Sequence, residues 1–182
     1  VDSMIANLAF LAAHYFGSGE QPLRTGNDHA LVAPYGLFEA ADGEVAIAPS
    51  NDTVYFKLLD ALGLSHLRDH PEFRTNRDRF ERRAAINALV NEKIRTQPIA
   101  HWLEVLNAAG VPCGRVMSLP EVFADPQVRH QQMRITIEHP KYGPLDVLGF
   151  PIKFTDDPCR VHRVPPDLGA DTDDLLAELG YS

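Results

Sequence analysis

The sequence contains only two cysteines, Cys113 and Cys159, among 182 residues. They lie far apart, and neither belongs to a Cys-x-x-Cys pair or to a cluster with histidines. This usage argues against a disulfide framework and against a zinc site, and it is typical of proteins kept in a reducing compartment. We therefore predict a cytoplasmic protein with no metal and no other tightly bound cofactor.

Positive charge is also scarce, because 17 lysines and arginines stand against 25 aspartates and glutamates, which gives a net charge of −8. An acidic surface repels phosphate backbones, so no nucleic-acid partner is expected. No apolar run approaches the roughly 20 residues that a transmembrane helix requires, so no membrane partner is expected either. With 45% hydrophobic and 23% charged residues, the composition is that of an ordinary globular protein.

The general catalytic motifs are missing as well: the sequence has no G-x-S-x-G elbow, no G-x-G-x-x-G, no Walker A and no HExxH. Its eight histidines are scattered, and we interpret His14, His101 and His130 as surface or hydrogen-bonded side chains rather than as catalytic bases. The aspartates around residue 172 suit the first turn of a helix better than a metal site. Such residues identify no reaction by themselves.

The first 20 residues, VDSMIANLAFLAAHYFGSGE, are apolar without a preceding basic region, which argues against a secretory signal peptide. Apolar residues recur at helical spacing from Met4 to Tyr15 and predict one helix that is buried over much of its circumference. A core helix that starts at residue 1 suits a complete domain and equally a fragment of a longer chain.

Helices and small sheets are predicted to alternate along the rest of the chain. Periodic apolar residues predict three helices, with the inner faces Tyr55, Leu58, Leu59 and Leu62; Ile86, Leu89, Val90 and Ile94; and Ile99, Trp102, Leu103, Leu106 and Ala109. Alternating residues predict two hairpins, one of Tyr35–Ala40 and Glu44–Ala48 around Asp42-Gly43, and one within residues 133–149. Short helices are expected from Pro120 up to Asp125-Pro126, and after Asp171. The predicted fold class is α+β, with small sheets between helices.

Residues 26–38, GNDHALVAPYGLF, place two glycines and a proline just ahead of the first strand. Two interpretations stay open for Pro34, Tyr35 and Gly36. Either the backbone must pass close to another group here, or these residues simply turn the chain into the hairpin.

Arg79 and Arg83 are four residues apart and are predicted to share a face of one helix, where two guanidiniums can clamp a carboxylate or phosphate. The alternative is a solvated salt-bridge face with Asp78 and Glu81. Asn51 precedes a predicted helix and is a candidate for its cap.

The order of several short motifs resembles the C-terminal part of the family III CoA-transferases, which include formyl-CoA transferase, carnitine CoA-transferase and succinyl-CoA–dicarboxylate CoA-transferases. The matching stretches run through nearly the whole chain. They are Thr25–Asn27, PYGLFEAADGEVAIA, Asn51-Asp52, the spaced Arg79 and Arg83, AGVPCGRVMSLPEVFADPQV, GFPIKF and PPDLGADTDDLLAELGY.

The resemblance implies a large Rossmann-type domain and a small α+β domain, in two chains threaded through each other as an interlocked homodimer. On this pattern residues 1–24 are a helix and linker from the large domain, residues 25–150 are the small domain, and residues 151–182 return towards the large domain. It also implies acyl-CoA and carboxylic acid substrates, with a nucleophilic aspartate that attacks the thioester and forms a mixed anhydride. That aspartate is expected upstream of residue 1, so this chain alone is expected to be inactive and to expose apolar surface on its first and last helices.

In formyl-CoA transferase the segment that matches Gly26 and Asn27 is a glycine-rich loop that shields the anhydride from water. This chain keeps those two residues but continues with DHALVAP, which implies a stiffer lid and argues against formyl or oxalyl substrates. The residues of these motifs most resemble the succinyl-CoA–dicarboxylate branch of the family. In that branch Arg79 or Arg83 would attract the distal carboxylate of the acceptor.

Two alternatives stay open beside the transferase. The related α-methylacyl-CoA racemases often carry a glutamate at the position of Asn51, so Asn51 favours a transferase, although its role as a helix cap explains it equally well. The other alternative is a non-catalytic docking or dimerisation domain.

Overall fold

The computed structural model describes residues 1–181. The chain divides into two compact units, Val1–Val116 and Met117–Ser182. The domain boundaries predicted after residues 24 and 150 stay predictions.

The first unit contains a three-stranded sheet and most of the helices. Its elements are α1 (Asp2–Ala6), α2 (Ala9–Ser18), β1 (Gly36–Ala40), β2 (Gly43–Ile47), α3 (Asp52–Ala61), a 3₁₀ turn (Ser65–Leu67), α4 (Asn76–Glu81), α5 (Arg83–Ile94), α6 (Ile99–Ala108) and β3 (Cys113–Arg115). β2 pairs antiparallel with β1 on one side and with β3 on the other. The predicted first hairpin is therefore confirmed, and the extended piece at Cys113 adds a third strand to it.

The core of this unit lies between the sheet and the predicted inner faces of α3, α5 and α6. Buried side chains come from β1 and β2 (Phe38, Val45, Ile47), α3 (Tyr55, Leu58, Leu59), α5 (Ile86, Val90, Ile94) and α6 (Trp102, Leu106). The Trp102 indole donates a hydrogen bond of 2.6 Å to the carbonyl of Ile94, which joins α6 to the end of α5. Apolar periodicity thus predicted which faces are inside.

The N-terminal helix differs from its prediction in two respects. It is two helices, α1 and α2, because the Asn7 side chain bonds the Ser3 carbonyl (2.9 Å) and Ala9 has a φ of +40°. Neither helix contains a buried residue, so the predicted burial is wrong for this chain, whereas the predicted exposed apolar surface is observed. The side chains of Met4 and Phe16 are 72% and 81% exposed.

The second unit consists of α7 (Leu119–Ala124), α8 (Pro126–His130), the hairpin of β4 (Arg134–His139) and β5 (Gly143–Leu148), and α9 (Thr172–Glu178). As predicted, a short helix ends at Asp125, whose side chain then caps α8 through the backbone N–H groups of Gln127 and Val128. No helix within residues 1–181 combines the length and the apolar character needed to cross a bilayer. The predicted α+β class, with small sheets and several helices, is confirmed.

Candidate functional site

The candidate site is formed by the stretch before β1, residues 25–35, which we call the lead-in segment, and by one polar face of α4 and α5. Its side chains lie at positions 76 and 79 on α4 and at positions 83 and 87 on α5, and the spacing of three or four residues puts each pair on one face of its own helix. Each of the four donates a hydrogen bond to a residue between positions 28 and 33. The segment and the helices run in opposite directions along this contact.

Asn76, in the first turn of α4, holds the end of the segment that lies closer to β1. Its Nδ2 donates to the carbonyl of Leu31 (2.9 Å), and its Oδ1 accepts from the backbone N–H of Ala33 (3.2 Å). A side-chain amide offers one donor group and one acceptor, so Asn76 satisfies both backbone groups at once.

Arg79 is buried, with 1% of its surface exposed. Its Nε donates to the carbonyl of Ala33 (2.7 Å), and its Nη1 donates to the carbonyls of Phe73 (3.1 Å) and Arg74 (3.3 Å). Its Nη2 forms a salt bridge of 2.6 Å with Oδ1 of Asp52. Every guanidinium nitrogen of Arg79 is therefore used inside the protein, which is how a buried charge is accommodated.

Tyr55 on α3 lies beneath this guanidinium, which is 3.9 Å from the centre of its ring. The ring is fully buried, and burial raises the pKa of its hydroxyl to about 12. The hydroxyl has no hydrogen-bond partner within residues 1–181, so Tyr55 contributes its aromatic face rather than its polar group.

Arg83 and Asn87 on α5 contact the other end of the lead-in segment. Nη2 of Arg83 donates to the carbonyl of His29 (2.7 Å), and Nδ2 of Asn87 lies 3.3 Å from Oδ1 of Asp28. The prediction that Arg79 and Arg83 share one helix is wrong, because Arg82 leaves helical geometry (φ −116°, ψ 31°) and separates α4 from α5. The two arginines nevertheless contact the same segment.

His29, like Asn76 and Asn87, is a residue of this site that the sequence analysis missed. Its ring lies between Phe10 and Tyr35, with ring centres 4.8 Å and 4.7 Å away. The ring Nδ1 accepts a hydrogen bond from the backbone N–H of Leu31 (3.1 Å), and the backbone N–H of His29 donates to the carbonyl of Tyr35 (2.9 Å). Burial and then the Arg83 guanidinium lower the pKa of this imidazole. A histidine that accepts through Nδ1 and has a lowered pKa is a neutral ring near pH 7.

Gly36 lies where two stretches of backbone pass close to each other. A Cβ at this position would lie 2.5 Å from Oδ1 of Asp28, 3.1 Å from the carbonyl oxygen of Asn27 and 3.2 Å from the Cα of Asp28. The turn at residues 25–28, closed by a bond of 2.7 Å from the Thr25 hydroxyl to the Asp28 carbonyl, therefore lies directly against the first residue of β1. The sequence left two interpretations open for this residue, a close approach of the backbone to another group or a simple turn into the hairpin, and the contacts of Gly36 agree with the first.

The remaining predicted site residues lie at the two ends of this arrangement. Gly26 has a φ of +63° with open space around its Cα, and Asn27 is exposed beside it. Pro34 is buried next to Ala33. Asn51 caps α3, with its Oδ1 accepting the N–H of Val54 (3.0 Å), and it directly precedes the partner of Arg79 in the chain. A functional role for these residues stays a prediction.

A cavity of about 490 Å³ adjoins the lead-in segment. It lies between the end of α2, residues 20–25, and the start of α4, and it is mainly apolar. Leu31 and Phe80 contribute to its walls, and Arg24 and Arg77 are the cations that line it. An apolar space with a few charged groups is the usual form of a small-molecule site.

The order of helices and strands and the segment anchored before β1 can now be compared with known protein families. The chain belongs to CoA-transferase family III, whose family description matches residues 1–172.

Among curated proteins, the chain is 28% identical to human "Succinyl-CoA:glutarate CoA-transferase" over 179 residues, which is 98% of this chain and 41% of that protein. It is 33% identical over 159 residues to "Acetyl-CoA:oxalate CoA-transferase" of Acetobacter aceti, covering 86% of this chain and 40% of that one. The chain thus spans about two fifths of the length of the curated relatives it matches.

Solved structures agree with this assignment. A CAIB/BAIF family protein from Brucella suis is 34% identical, with a TM-score of 0.70, and covers 98% of this chain and 46% of its own. A Mycobacterium tuberculosis protein matches the fold with a TM-score of 0.75 at 17% identity, covering 94% of this chain and 44% of its own.

Proposed function

We propose that this chain is part of an enzyme that transfers CoA between carboxylic acids, with succinyl-CoA or a similar thioester as donor and a dicarboxylic or other organic acid as acceptor. The observation that carries the proposal is the family match over residues 1–172. The names of the relatives support a dicarboxylic acceptor, because two pair succinyl-CoA or succinate with glutarate and a third pairs acetyl-CoA with oxalate. Of these acceptors, oxalate is the one against which the composition of residues 28–34 argues.

The proposed chemistry is an exchange at a carboxylate. An aspartate of the large domain, outside residues 1–182, attacks the thioester carbonyl, and CoA leaves as the thiolate while a mixed anhydride forms. The thiolate then attacks the aspartyl carbonyl of this anhydride, which releases the donor acid and leaves an aspartyl-CoA thioester. The acceptor carboxylate attacks that thioester to form a second mixed anhydride and free the thiolate again. Attack of the thiolate on the acceptor's carbonyl releases the new acyl-CoA and regenerates the aspartate. An anhydride is hydrolysed readily, so the site must exclude water during the exchange.

Within this scheme the lead-in segment is the cover of the site. Ala30, Leu31 and Val32 are half-buried apolar residues on it, and they would exclude water by packing. Each nitrogen of Arg79 already donates to the protein, so Arg79 would act by holding Ala33 in place. Arg83 donates one hydrogen bond to a neutral carbonyl and is the better candidate to attract the distal carboxylate of the acceptor.

The proposal is tested by assaying CoA transfer from succinyl-CoA to glutarate. We expect no turnover by the 182-residue chain alone, and turnover when it is completed by the N-terminal CoA-binding part of a family member. The completed polypeptide is expected to be a cytoplasmic homodimer without a bound cofactor. Transfer, or a covalent acyl adduct, by the 182-residue chain alone would overturn the proposed location of the nucleophile. A completed polypeptide that accepts none of succinyl-, acetyl- or formyl-CoA would overturn the activity.

Replacing Gly26 by valine in the completed polypeptide is expected to raise the ratio of thioester hydrolysis to transfer about fivefold. The φ of Gly26, +63°, is strained by about 1 kcal/mol for a residue with a branched Cβ, and the turn would close less completely. The measurement is the partition of succinyl-CoA between free succinate and glutaryl-CoA. Gly26→Asn is the matched control, because asparagine tolerates this conformation; equal partitioning in the two variants would contradict the prediction.

A further inference from the structure

We infer that the lead-in segment has one fixed end and one releasable end, and that Arg83 is the positioning residue that keeps the releasable end closed. This inference rests on the proposed function, since it assigns the movement of the proposed cover to particular hydrogen bonds. It concerns Asp28 and His29 on the segment, and Arg83 and Asn87 on α5.

The end near β1 is fixed. Leu31 and Ala33 form three hydrogen bonds with α4, two with Asn76 and one with Arg79. Ala33 and Arg79 are each only 1% exposed, and Arg79 is tied further to Asp52. Opening this end would leave a buried guanidinium and buried backbone groups without partners, which is costly.

The other end of the segment, at Asp28 and His29, forms fewer and more exposed hydrogen bonds with the helices. From α5, Asp28 and His29 receive one strong bond, from Arg83 (2.7 Å), and one long contact, from Asn87 (3.3 Å). His29 also donates its backbone N–H to Tyr35 within the segment, and its ring stacks on Phe10. Arg83 and Asn87 are only half-buried, so water replaces them at low cost when the segment moves. The turn at Gly26 adjoins this end, and a Cβ added at Gly26 would meet no atom within 4 Å.

Arg83 also acts on the chemistry of His29. The imidazole lies between the rings of Phe10 and Tyr35, and the guanidinium of Arg83 bonds the carbonyl of the same residue, His29. Asp28, the residue before His29, has its carboxylate beside Asn87. Arg83 opposes a positive charge on this ring, and the neutral ring is the form whose Nδ1 accepts the N–H of Leu31. One guanidinium therefore favours the closed segment twice, through the His29 carbonyl and through the charge state of its ring.

The experiment uses the 182-residue chain and compares Arg83→Met with the wild type by NMR. The amide protons of His29 and Leu31, which are bonded to Tyr35 and to the His29 ring, are expected to exchange about tenfold faster. The pKa of His29 is expected to rise, because a neighbouring cation has been removed. The buried amide of Leu106 in α6 is expected to exchange at the wild-type rate.

Two further variants separate positioning from folding. Arg82→Met removes the arginine next to Arg83, which pairs with Glu72 and Glu81 on the surface. The exchange rates of the amides of His29, Leu31 and Leu106 should stay at their wild-type values. Arg83→Lys retains the charge, so the pKa of His29 should stay near its wild-type value. The amides of His29 and Leu31 should exchange faster than in the wild type but more slowly than in Arg83→Met, because an ammonium on a flexible stem holds the His29 carbonyl less firmly than the guanidinium does.

Unchanged exchange at His29 and Leu31 in Arg83→Met would overturn the inference, and so would an equal acceleration at Leu106, which would mean global destabilisation. Neither measurement depends on CoA transfer. A failed transfer assay with the expected exchange pattern would therefore remove the proposed function of the cover while the unequal attachment of the segment stands.

Discussion

Replacing Arg79 by methionine is expected to lower the free energy of unfolding of the first unit by about 3 kcal/mol. Methionine fills a similar volume but donates nothing to the carbonyls of Ala33, Phe73 and Arg74. Asp52 is half exposed and can be hydrated after the change, so most of the cost comes from the backbone oxygens that lose their donor. The measurement is urea unfolding followed by fluorescence.

Arg82→Met is the matched control for this prediction. Arg82 lies on the surface, and its pairs with Glu72 and Glu81 are solvent-exposed, so its loss should change stability by less than about 0.5 kcal/mol. Arg79→Lys should recover only part of the difference, since an ammonium cannot reach three carbonyls and a carboxylate at once. If Arg79→Met were no more destabilising than Arg82→Met, the anchoring role of Arg79 would be wrong.

Replacing Gly36 by alanine is expected to cost about 1–3 kcal/mol and to displace the turn at residues 25–28. The new Cβ would lie 2.5 Å from the Asp28 carboxylate and 3.1 Å from the Asn27 carbonyl. A carboxylate can rotate away, but the carbonyl belongs to the backbone and moves only with the turn. The measurements are urea unfolding and the NMR chemical shifts of residues 25–29.

Gly114→Ala provides the comparison, because Gly114 also lies in this sheet and an added Cβ would meet no atom within 4 Å. It should be neutral or slightly stabilising. The double variant Gly36→Ala with Asp28→Ala should regain part of the loss, since it removes the closest contact but leaves the backbone contact. Equal stability of the two single alanine variants would show that the turn does not press on β1.

Much of the fold was predictable because its signals are local. The Asp42-Gly43 turn and the alternating residues around it predicted the first hairpin, and periodic apolar residues predicted that Ile86, Val90 and Ile94 face inward. The start of helix α4 was overlooked, although its signal is local too, because Thr75 and Asp78 lie three residues apart and form a capping box. The sequence analysis placed Arg79 on a helix but did not separate that helix, α4, from α5.

The candidate site was predictable only in part, because its contacts join residues that are distant in sequence. Asn76 lies 45 residues from Leu31, and Asn87 lies 59 residues from Asp28. No periodicity within one segment can indicate such pairs. His29 was missed for the same reason: its neighbour Phe10 belongs to a helix whose position relative to the lead-in segment is fixed only by the fold.

The side chain of Trp102 has a practical consequence. It is the only tryptophan in the sequence, it is 5% exposed, and its indole is bonded to the end of α5. Intrinsic emission excited at long ultraviolet wavelengths therefore originates in the first unit alone. A red shift of that emission reports water entering between α5 and α6, whereas circular dichroism sums both units, and a difference between the two melting curves measures how independently the units unfold.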